Sequence, residues 1–219
     1  MRINEVDFQT YHLKEMRDFY NKTLLMPIVR ESKYSFTVQA GQTLLSFHKI
    51  NKKPFYHFAI KIESNSFHYM LKKIQNSSML IPNLDGNTII PSDFWKVNDR
   101  IYFYDPDKNI VEIISHKLTN ISSMWVNVCE VGLPTGNVKD LSKYLTSIKT
   151  NIKEGSEQFQ FYGDFDGIFV LVKEGRKWYP TTRSAEIHKI EVIVEGPYQQ
   201  ILQHPELPYK IELVTNRST

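Results

Sequence analysis

The amino-acid sequence predicts an α+β fold in which βαβββ modules pair to form cup-shaped mixed sheets. Three observations support this prediction: an internal repeat that begins with a strand and a helix, alternation of apolar and polar residues in the strands, and short strands after each strand–helix start. The helix of each module covers the apolar face of its strands, so the polar residues of those strands are left on the concave face.

The internal repeat places residues 4–20, NEVDFQTYHLKEMRDFY, over residues 129–145, CEVGLPTGNVKDLSKYL, without a gap. In the first copy, Val6 and Phe8 alternate with Glu5 and Asp7, which predicts a strand. Apolar side chains then recur at helical spacing, at Met16, Phe19, Tyr20 and Leu24. Both copies therefore predict a strand, a short loop and a helix.

Four strand–helix starts of this kind divide the chain into modules at residues 1–50, 51–117, 124–183 and 184–219. Further strands are predicted at 34–40, 43–48, 89–90, 100–105, 110–115, 158–163, 168–172 and 209–214. We predict two tandem domains, 1–117 and 124–219, with a polar linker at 117–123. The last module must be abbreviated, because few residues remain after its first strand at 188–194.

Composition and charge exclude several classes of protein. The chain has 219 residues, of which 41% are hydrophobic and 23% charged, as in ordinary globular proteins. The net charge of +3 comes from scattered basic residues, so nucleic acid is not an expected partner. No apolar run approaches the roughly 20 residues of a membrane span, and no membrane partner is expected. The single cysteine, Cys129, excludes an intramolecular disulfide and a cysteine zinc site, and we predict a cytoplasmic protein.

A carboxylate interrupts an otherwise apolar strand in the segment FYDPDKNIVEIISH, residues 103–116. The turn Asp-Pro-Asp-Lys-Asn comes first, and Glu112 lies in the middle of the strand that follows it. An unpaired buried carboxylate is very unfavourable. Glu112 is therefore expected to face solvent at a sheet edge, to form an ion pair or to bind a metal ion.

Strand parity places further polar side chains on the concave faces. Glu5 alternates with the apolar residues of its strand, and His57 does the same in the first strand of the second module. If the concave faces of the first two modules meet, Glu5, His57 and Glu112 converge from three strands as a facial set for a divalent metal. The alternative is that Glu5 pairs with Lys61 or Arg100 while His57 fills a polar cavity.

At these residues the chain resembles the vicinal oxygen chelate superfamily, which contains glyoxalases, extradiol dioxygenases, and fosfomycin and bleomycin resistance proteins. The resemblance rests on the opening INEVDF…MRDFYNKTLLMPIV, the central FYHFAIKI, the segment FYDPDKNIVEI, and their order and spacing. The family usually has glycine where this chain has Lys108. Residues 126–195 resemble a second copy that is found in two-domain bacterial members.

The resemblance implies a cup-shaped sheet around a metal or ligand pocket, with metal ligands at Glu5, His57 and Glu112. Two departures from the family pattern matter. Dioxygenases of this type have histidine where this chain has Glu5. Glyoxalases have a fourth ligand, usually glutamate, where only Ser46 or His48 is present here. Neither activity therefore transfers directly to this chain.

The second half of the chain repeats the order Glu, His, Glu and gives a possible second site at Glu130, His188 and Glu212. His188 shares a strand face with apolar residues, which indicates packing rather than ligation. The abbreviated last module would also leave one side of this cup open. We therefore favour a degenerate, structural second domain.

Other candidate residues follow from the strand at 100–104. We predict that Tyr102 is catalytic, through a hydrogen bond to a substrate oxygen, and that Arg100, Tyr104 and His48 bind substrate. The alternative is that the tyrosines form cross-strand pairs. The loop GRKWYPTTR at 175–183 is expected to cap a pocket or, more simply, to anchor one domain on the other.

These observations predict a divalent-metal-dependent enzyme of the glyoxalase or extradiol dioxygenase type, acting on a small substrate that chelates the metal through neighbouring oxygens. Glu5 is the candidate base, and the donor set does not distinguish Fe²⁺, Mn²⁺, Zn²⁺ and Ni²⁺. The alternative is a protein of the same fold that binds or sequesters a small, antibiotic-like molecule without turnover. A small-molecule ligand is the expected partner, and a homodimer remains open.

Overall fold

The computed structural model of the protein describes residues 1–77, 79–97, 99–117 and 123–215. Four modules follow one another along the chain, and the α+β class of paired βαβββ modules with an abbreviated last module is confirmed. Residues 118–122 of the predicted linker lie outside the described residues. Among the described helices, none is both long and apolar enough to cross a membrane.

The four modules have the following elements. The first contains β1 (Ile3–Thr10), α1 (Leu13–Asp18) with a π-helical continuation (Phe19–Thr23), β2 (Ile28–Glu31), β3 (Ser35–Ala40) and β4 (Thr43–Lys49). The second contains β5 (His57–Glu63), α2 (Ser64–Ser77), β6 (Met79–Leu80), β7 (Arg100–Tyr104) and β8 (Ile110–His116). The third contains β9 (Trp125–Thr135), α3 (Val138–Tyr144) with a 3₁₀ turn (Leu145–Ser147), β10 (Ile152–Gly155), β11 (Phe159–Asp164) and β12 (Gly167–Lys173). The fourth contains β13 (Ile190–Gly196), β14 (Gln200–Gln203) and β15 (Tyr209–Thr215).

Two mixed sheets are built from these strands. One has the order β14-β15-β13-β1-β4-β3-β2 and joins the first module to the fourth, and the other has the order β10-β11-β12-β9-β5-β8-β7-β6 and joins the second to the third. At the centre of each sheet the first strands of two modules run antiparallel, β1 with β13 and β5 with β9. The prediction of a strand at 89–90 is wrong, because the corresponding strand of the second module, β6, lies at Met79–Leu80.

The pairing of modules differs from the sequence prediction, which paired the first module with the second. These two modules instead pack their apolar faces together. The Phe8 ring on β1 lies 4.4 Å from the ring of Tyr56, the residue before β5, and 4.9 Å from the ring of Phe58 on β5. Burying each such ring contributes on the order of 1.5–3 kcal/mol, whereas burying the charged faces against each other would be unfavourable. The concave polar faces of the first two modules therefore point away from each other into separate cups.

A buried carboxylate fastens the first module to the second. Asp107, in the turn between β7 and β8, is fully buried and accepts hydrogen bonds from the backbone N–H groups of Tyr11 and His12 at 2.9 and 3.1 Å. The Thr10 hydroxyl and the His12 Nδ1 atom complete its partners. Because charge-assisted hydrogen bonds to backbone donors are strong, this single side chain fixes the end of β1 against the turn.

The same turn is closed by hydrogen bonds to Asp105, and at Lys108 it adopts a backbone conformation that favours glycine. Asp105 accepts from the backbone and side-chain amides of Asn109 at 2.9 and 2.8 Å, and the Tyr20 hydroxyl donates to it at 3.2 Å. Lys108 has a φ of 67°, in the left-handed region that residues without a Cβ enter most easily. Burial raises the pKa of Asp105 to about 7.

Candidate metal centre and ligand cavity

Strand register brings one histidine and two glutamates together in the sheet of the second and third modules. Ala59 on β5 pairs with Glu112 on β8 and with Glu130 on β9. Residues paired directly across strands share a face, so both carboxylates lie on the face of Ala59. His57 lies two residues before Ala59 and therefore on the same face.

The three side chains form a compact and buried group. One ligand atom from each of His57, Glu112 and Glu130 lies within 4.8 Å of the other two. The side chains of His57 and Glu112 are 6% and 2% exposed, and Glu130 is 5% exposed. No other group of three or more possible metal-ligating side chains meets this spacing in the described part of the chain. The group opens on a cavity of about 150 Å³.

The His57 ring is held in one tautomer. Its Nδ1 atom lies 3.1 Å from the carbonyl oxygen of Ile110. Because a carbonyl only accepts, Nδ1 carries the proton and the Nε2 lone pair is free. Nε2 lies 3.8 Å from Glu112 Oε2. Burial lowers the pKa of His57 to about 4, so the imidazole is neutral at pH 7 and suited to ligating a cation.

The two carboxylates are in an unfavourable electrostatic environment. Burial, and after it the charge of Glu130, raises the pKa of Glu112. Burial likewise raises the pKa of Glu130. Trp95 Nε1 donates to Glu130 Oε1 at 2.5 Å, Arg100 donates to Glu112 Oε1 at 3.3 Å, and the Tyr102 hydroxyl also hydrogen-bonds to Glu112. A divalent cation between the carboxylates would relieve their repulsion.

The third module has an apolar residue at the position that corresponds to Glu112 in the second module. In β8, Glu112 lies two residues after Ile110, which is paired with His57 of β5. In β12, Val170 lies two residues after Ile168, which is paired with Glu130 of β9. Val170 also lines the cavity. The group therefore offers three possible ligands, and Val170 offers none at the position of a fourth.

Aromatic side chains make up half of the residues that line the cavity. The rings that line it are Phe94, Trp95, Tyr102, Phe159, Phe161, Trp178 and Tyr179. The Trp178 ring lies 4.6 Å from the His57 ring, and Tyr179 meets Tyr102 edge-on at 5.9 Å. The loop at 175–183 therefore caps this cavity, as one of its two sequence interpretations had it.

The strand β7 supplies two of its three predicted site residues. Arg100 and Tyr102 line the cavity beside Glu112. Burial, and after it the charge of Glu112, raises the pKa of Tyr102 well above its ordinary value, so its hydroxyl is a hydrogen-bond donor rather than a base at pH 7. Tyr104 packs against the apolar cluster around the cavity and is not among the described residues that line it.

The structure corrects the placement of Glu5, which was predicted as a metal ligand and a catalytic base. Glu5 lies on the other sheet, where it is paired with Arg30 and accepts from the Ser46 hydroxyl at 3.3 Å. His48, predicted to bind substrate, lies near it and is 3.1 Å from Asp7, which raises the pKa of His48. The reason is the module pairing described above, which turns these residues into a separate cavity of about 410 Å³.

The possible second site at Glu130, His188 and Glu212 is not assembled. Glu130 belongs to the group with His57, on the sheet opposite to that of Glu212. His188 lies 3.2 Å from Glu186 and packs edge-on against Tyr56. Glu130, rather than Glu5, thus lies with His57 and Glu112 in the candidate metal site.

Three residues of the cavity were not identified from the sequence as parts of one site. Trp95 lies in the long segment between β6 and β7, where periodicity carries no information on contacts. Arg176 and Trp178 were noted only as parts of a loop. The signal that could have indicated Glu130 is the repeat itself, because Glu130 aligns with Glu5 in a strand that also starts a module.

Comparisons with known proteins support the fold. No protein-family model matches the chain, and no curated protein sequence matches it. Among solved structures, glyoxalase I from Zea mays is similar at a TM-score of 0.60 and 15% identity, covering 98% of this chain and 92% of that one. A "putative dioxygenase" from Bacillus subtilis is similar at a TM-score of 0.62 and 14% identity, covering 97% and 85%. The chain therefore has the same fold as these two proteins.

Proposed function

We propose that the chain is a divalent-metal-dependent enzyme whose metal site is formed by His57, Glu112 and Glu130 and whose small substrate occupies the adjoining cavity. The observation that carries this proposal is the buried group of three ligand atoms within 4.8 Å of one another, on three neighbouring strands. Rigid strands hold such ligands in fixed positions, which metal-assisted catalysis requires.

The chemistry of the donor set fits a divalent ion. The neutral His57 imidazole presents a free Nε2 lone pair, and the Ile110 carbonyl fixes its orientation. Two carboxylates balance the charge of one divalent cation. One imidazole and two carboxylates suit Mn²⁺, Fe²⁺, Zn²⁺ or Ni²⁺.

The cavity side of the site supports catalysis on a small oxygen-rich molecule. A bound divalent ion would act as a Lewis acid toward substrate oxygens. Tyr102 keeps its proton and can donate a hydrogen bond to a substrate oxygen, and Arg100 can orient a negatively charged group. Trp95 holds Glu130 in place through its indole N–H. Because Val170 supplies no fourth ligand, the arrangement favours a reaction that needs open metal positions over a four-ligand glyoxalase site.

A second candidate function is supported by the hydrogen bonds already present. Arg100 and Trp95 each donate to one of the two carboxylates. An ion pair and a hydrogen bond can stabilise buried carboxylates without a metal. In that case the cavity would bind a small molecule without turnover.

Metal content distinguishes the two functions. Protein purified without chelators or a histidine tag would be loaded separately with Fe²⁺, Mn²⁺, Zn²⁺ and Ni²⁺, desalted, and measured by elemental analysis. The variants are Glu112→Gln and Glu130→Gln, with Glu212→Gln as a matched control on the other sheet. We expect one ion per chain in the wild type and in Glu212→Gln, and loss of the ion in the other two.

Wild-type protein that retains no metal after loading with any of the four ions would overturn the enzymatic proposal. Metal that is retained equally by all three variants would show that the ion binds elsewhere. Wild-type protein that holds one ion would next be tested for oxygen consumption with small catechols and for isomerase activity with small hydroxyketones.

A further inference from the structure

The cavity beside the candidate metal centre carries an arginine with an unused donor. Arg100 Nη1 donates to Glu112 and Nη2 donates to the Pro91 carbonyl at 3.0 Å. Its Nε atom is buried and has no hydrogen-bond partner among the described residues. Buried donors are nearly always paired in native proteins, and Arg100 lines the cavity, so a ligand there is a candidate source of the missing acceptor.

A second guanidinium lines the same cavity. Arg176 stacks on the Phe159 ring, with its Cζ atom 4.6 Å from the ring centroid. One of its amino groups donates to the Lys177 carbonyl at 3.2 Å, and it forms no ion pair with a carboxylate in the described part of the chain. An aromatic face holds the guanidinium in a fixed orientation and leaves its charge uncompensated.

The balance of charge around the cavity favours a negatively charged ligand. Glu112 and Glu130 offset either the two guanidinium groups or one divalent ion, but not both. With the ion in place, the two arginines are in excess. Planar guanidinium groups bind carboxylates preferentially, because their N–H groups match the spacing of carboxylate oxygens.

The walls and the size of the cavity favour a flat ligand. The rings of Phe94 and Phe161 are stacked at 4.2 Å, and the Trp178 ring lies beside His57. Aromatic walls bind conjugated rings through stacked or edge-on contacts. A volume of about 150 Å³ is well below the roughly 300–1,000 Å³ of pockets that hold drug-sized molecules.

We propose that this cavity binds a small, planar, conjugated carboxylate, whose carboxylate group is held by Arg100 and Arg176. The inference rests on the proposed function for the role of the site, and it names the substrate class. The ligand's oxygen-bearing end would face His57 and the two glutamates, and its ring would lie between the aromatic walls.

The test uses three probe molecules of similar size. Benzoate is planar and anionic, benzamide is planar and neutral, and cyclohexanecarboxylate is anionic and not planar. Isothermal titration calorimetry would measure their binding to the full-length chain, with and without Mn²⁺. Quenching of the fluorescence of Trp95 and Trp178, which line the cavity, reports binding at this place.

We expect benzoate to bind at least tenfold more tightly than either of the other probes. Arg176→Gln should weaken benzoate binding at least tenfold and leave benzamide binding unchanged, so that the preference for the anion disappears. Lys173→Gln is the matched control, because it removes an exposed positive charge from the end of the neighbouring strand β12. It should change neither affinity.

Equal affinities for benzoate and benzamide would overturn the inference, and so would unchanged benzoate binding in Arg176→Gln or the absence of benzoate binding with and without Mn²⁺. Failure of the proposed function is distinguishable from these results. A protein that holds no metal but still prefers benzoate contradicts only the metal-dependent enzyme. A protein that holds metal but shows no preference for carboxylate contradicts only the substrate class.

Discussion

Replacing Glu130 rather than Glu5 should abolish the stabilisation that a divalent ion gives to the folded chain. Glu130 lies in the buried group with His57 and Glu112, whereas Glu5 is paired with Arg30 on the other sheet. An ion that binds only the folded state stabilises it by RT ln(1 + [L]/Kd), which is about 2.7 kcal/mol at an ion concentration about 100 times Kd.

The expected effect of Glu130→Gln follows from the number of ligands. Loss of a residue that merely supports a ligand weakens metal affinity by about 10–100-fold, so loss of one of three ligands should weaken it by at least about 100-fold. At the same ion concentration the remaining stabilisation is then about 0.4 kcal/mol. The difference of about 2.3 kcal/mol corresponds to about 5–9 °C in the unfolding temperature of a chain of this size.

The measurement is thermal unfolding followed by circular dichroism, with and without Mn²⁺, for the wild type, Glu130→Gln and Glu5→Gln. Comparing each protein with itself removes any effect of the substitution on the metal-free fold. We expect the shift in the wild type and in Glu5→Gln, and a shift close to zero in Glu130→Gln. The opposite pattern, in which Glu5→Gln alone loses the shift, would refute the placement of the metal ligands.

Three further predictions concern the fold around the site. Asp107→Ala should lower the free energy of unfolding by about 3–5 kcal/mol in urea denaturation, because it removes the charged acceptor of one buried hydroxyl and three part-buried donors. A loss below about 1 kcal/mol would contradict this. Burial raises the pKa of Asp105 to about 7, so its contribution to stability is full below its unfolded pKa near 4 and is lost as the pH rises through 7. Asp105→Asn should remove this fall in the free energy of unfolding, which is about 4 kcal/mol at most. The measurement is urea denaturation between pH 4 and 8, and an identical pH profile in both proteins would exclude the effect. Gly132→Ala should destabilise the chain by about 1–3 kcal/mol and weaken metal binding. The new Cβ would lie 2.9 Å from the His57 carbonyl oxygen and 2.8 Å from the Trp178 ring. Unchanged unfolding and unchanged metal retention would show that the ring moves aside without effect.

The sequence by itself determined the modules and the face on which the site lies. Alternation in β5 places His57 opposite the apolar residues, Glu112 is the carboxylate of the otherwise apolar β8, and the structure keeps both on the concave face. These features depend on neighbours within one strand or one helix, and local periodicity reports them directly. The abbreviated fourth module followed from the number of residues that remain after its first strand.

Only the tertiary structure decided which modules share a sheet, and with it the third member of the candidate metal site. Glu5 and Glu130 occupy the same position in two copies of the repeat, so no local pattern distinguishes them. The choice depends on packing between distant segments, where Phe8 is buried against Tyr56 and Phe58 and β5 pairs with β9. The same holds for the cavity wall, because side chains from a long irregular segment and a distant loop meet only when the sheet of the second and third modules has closed.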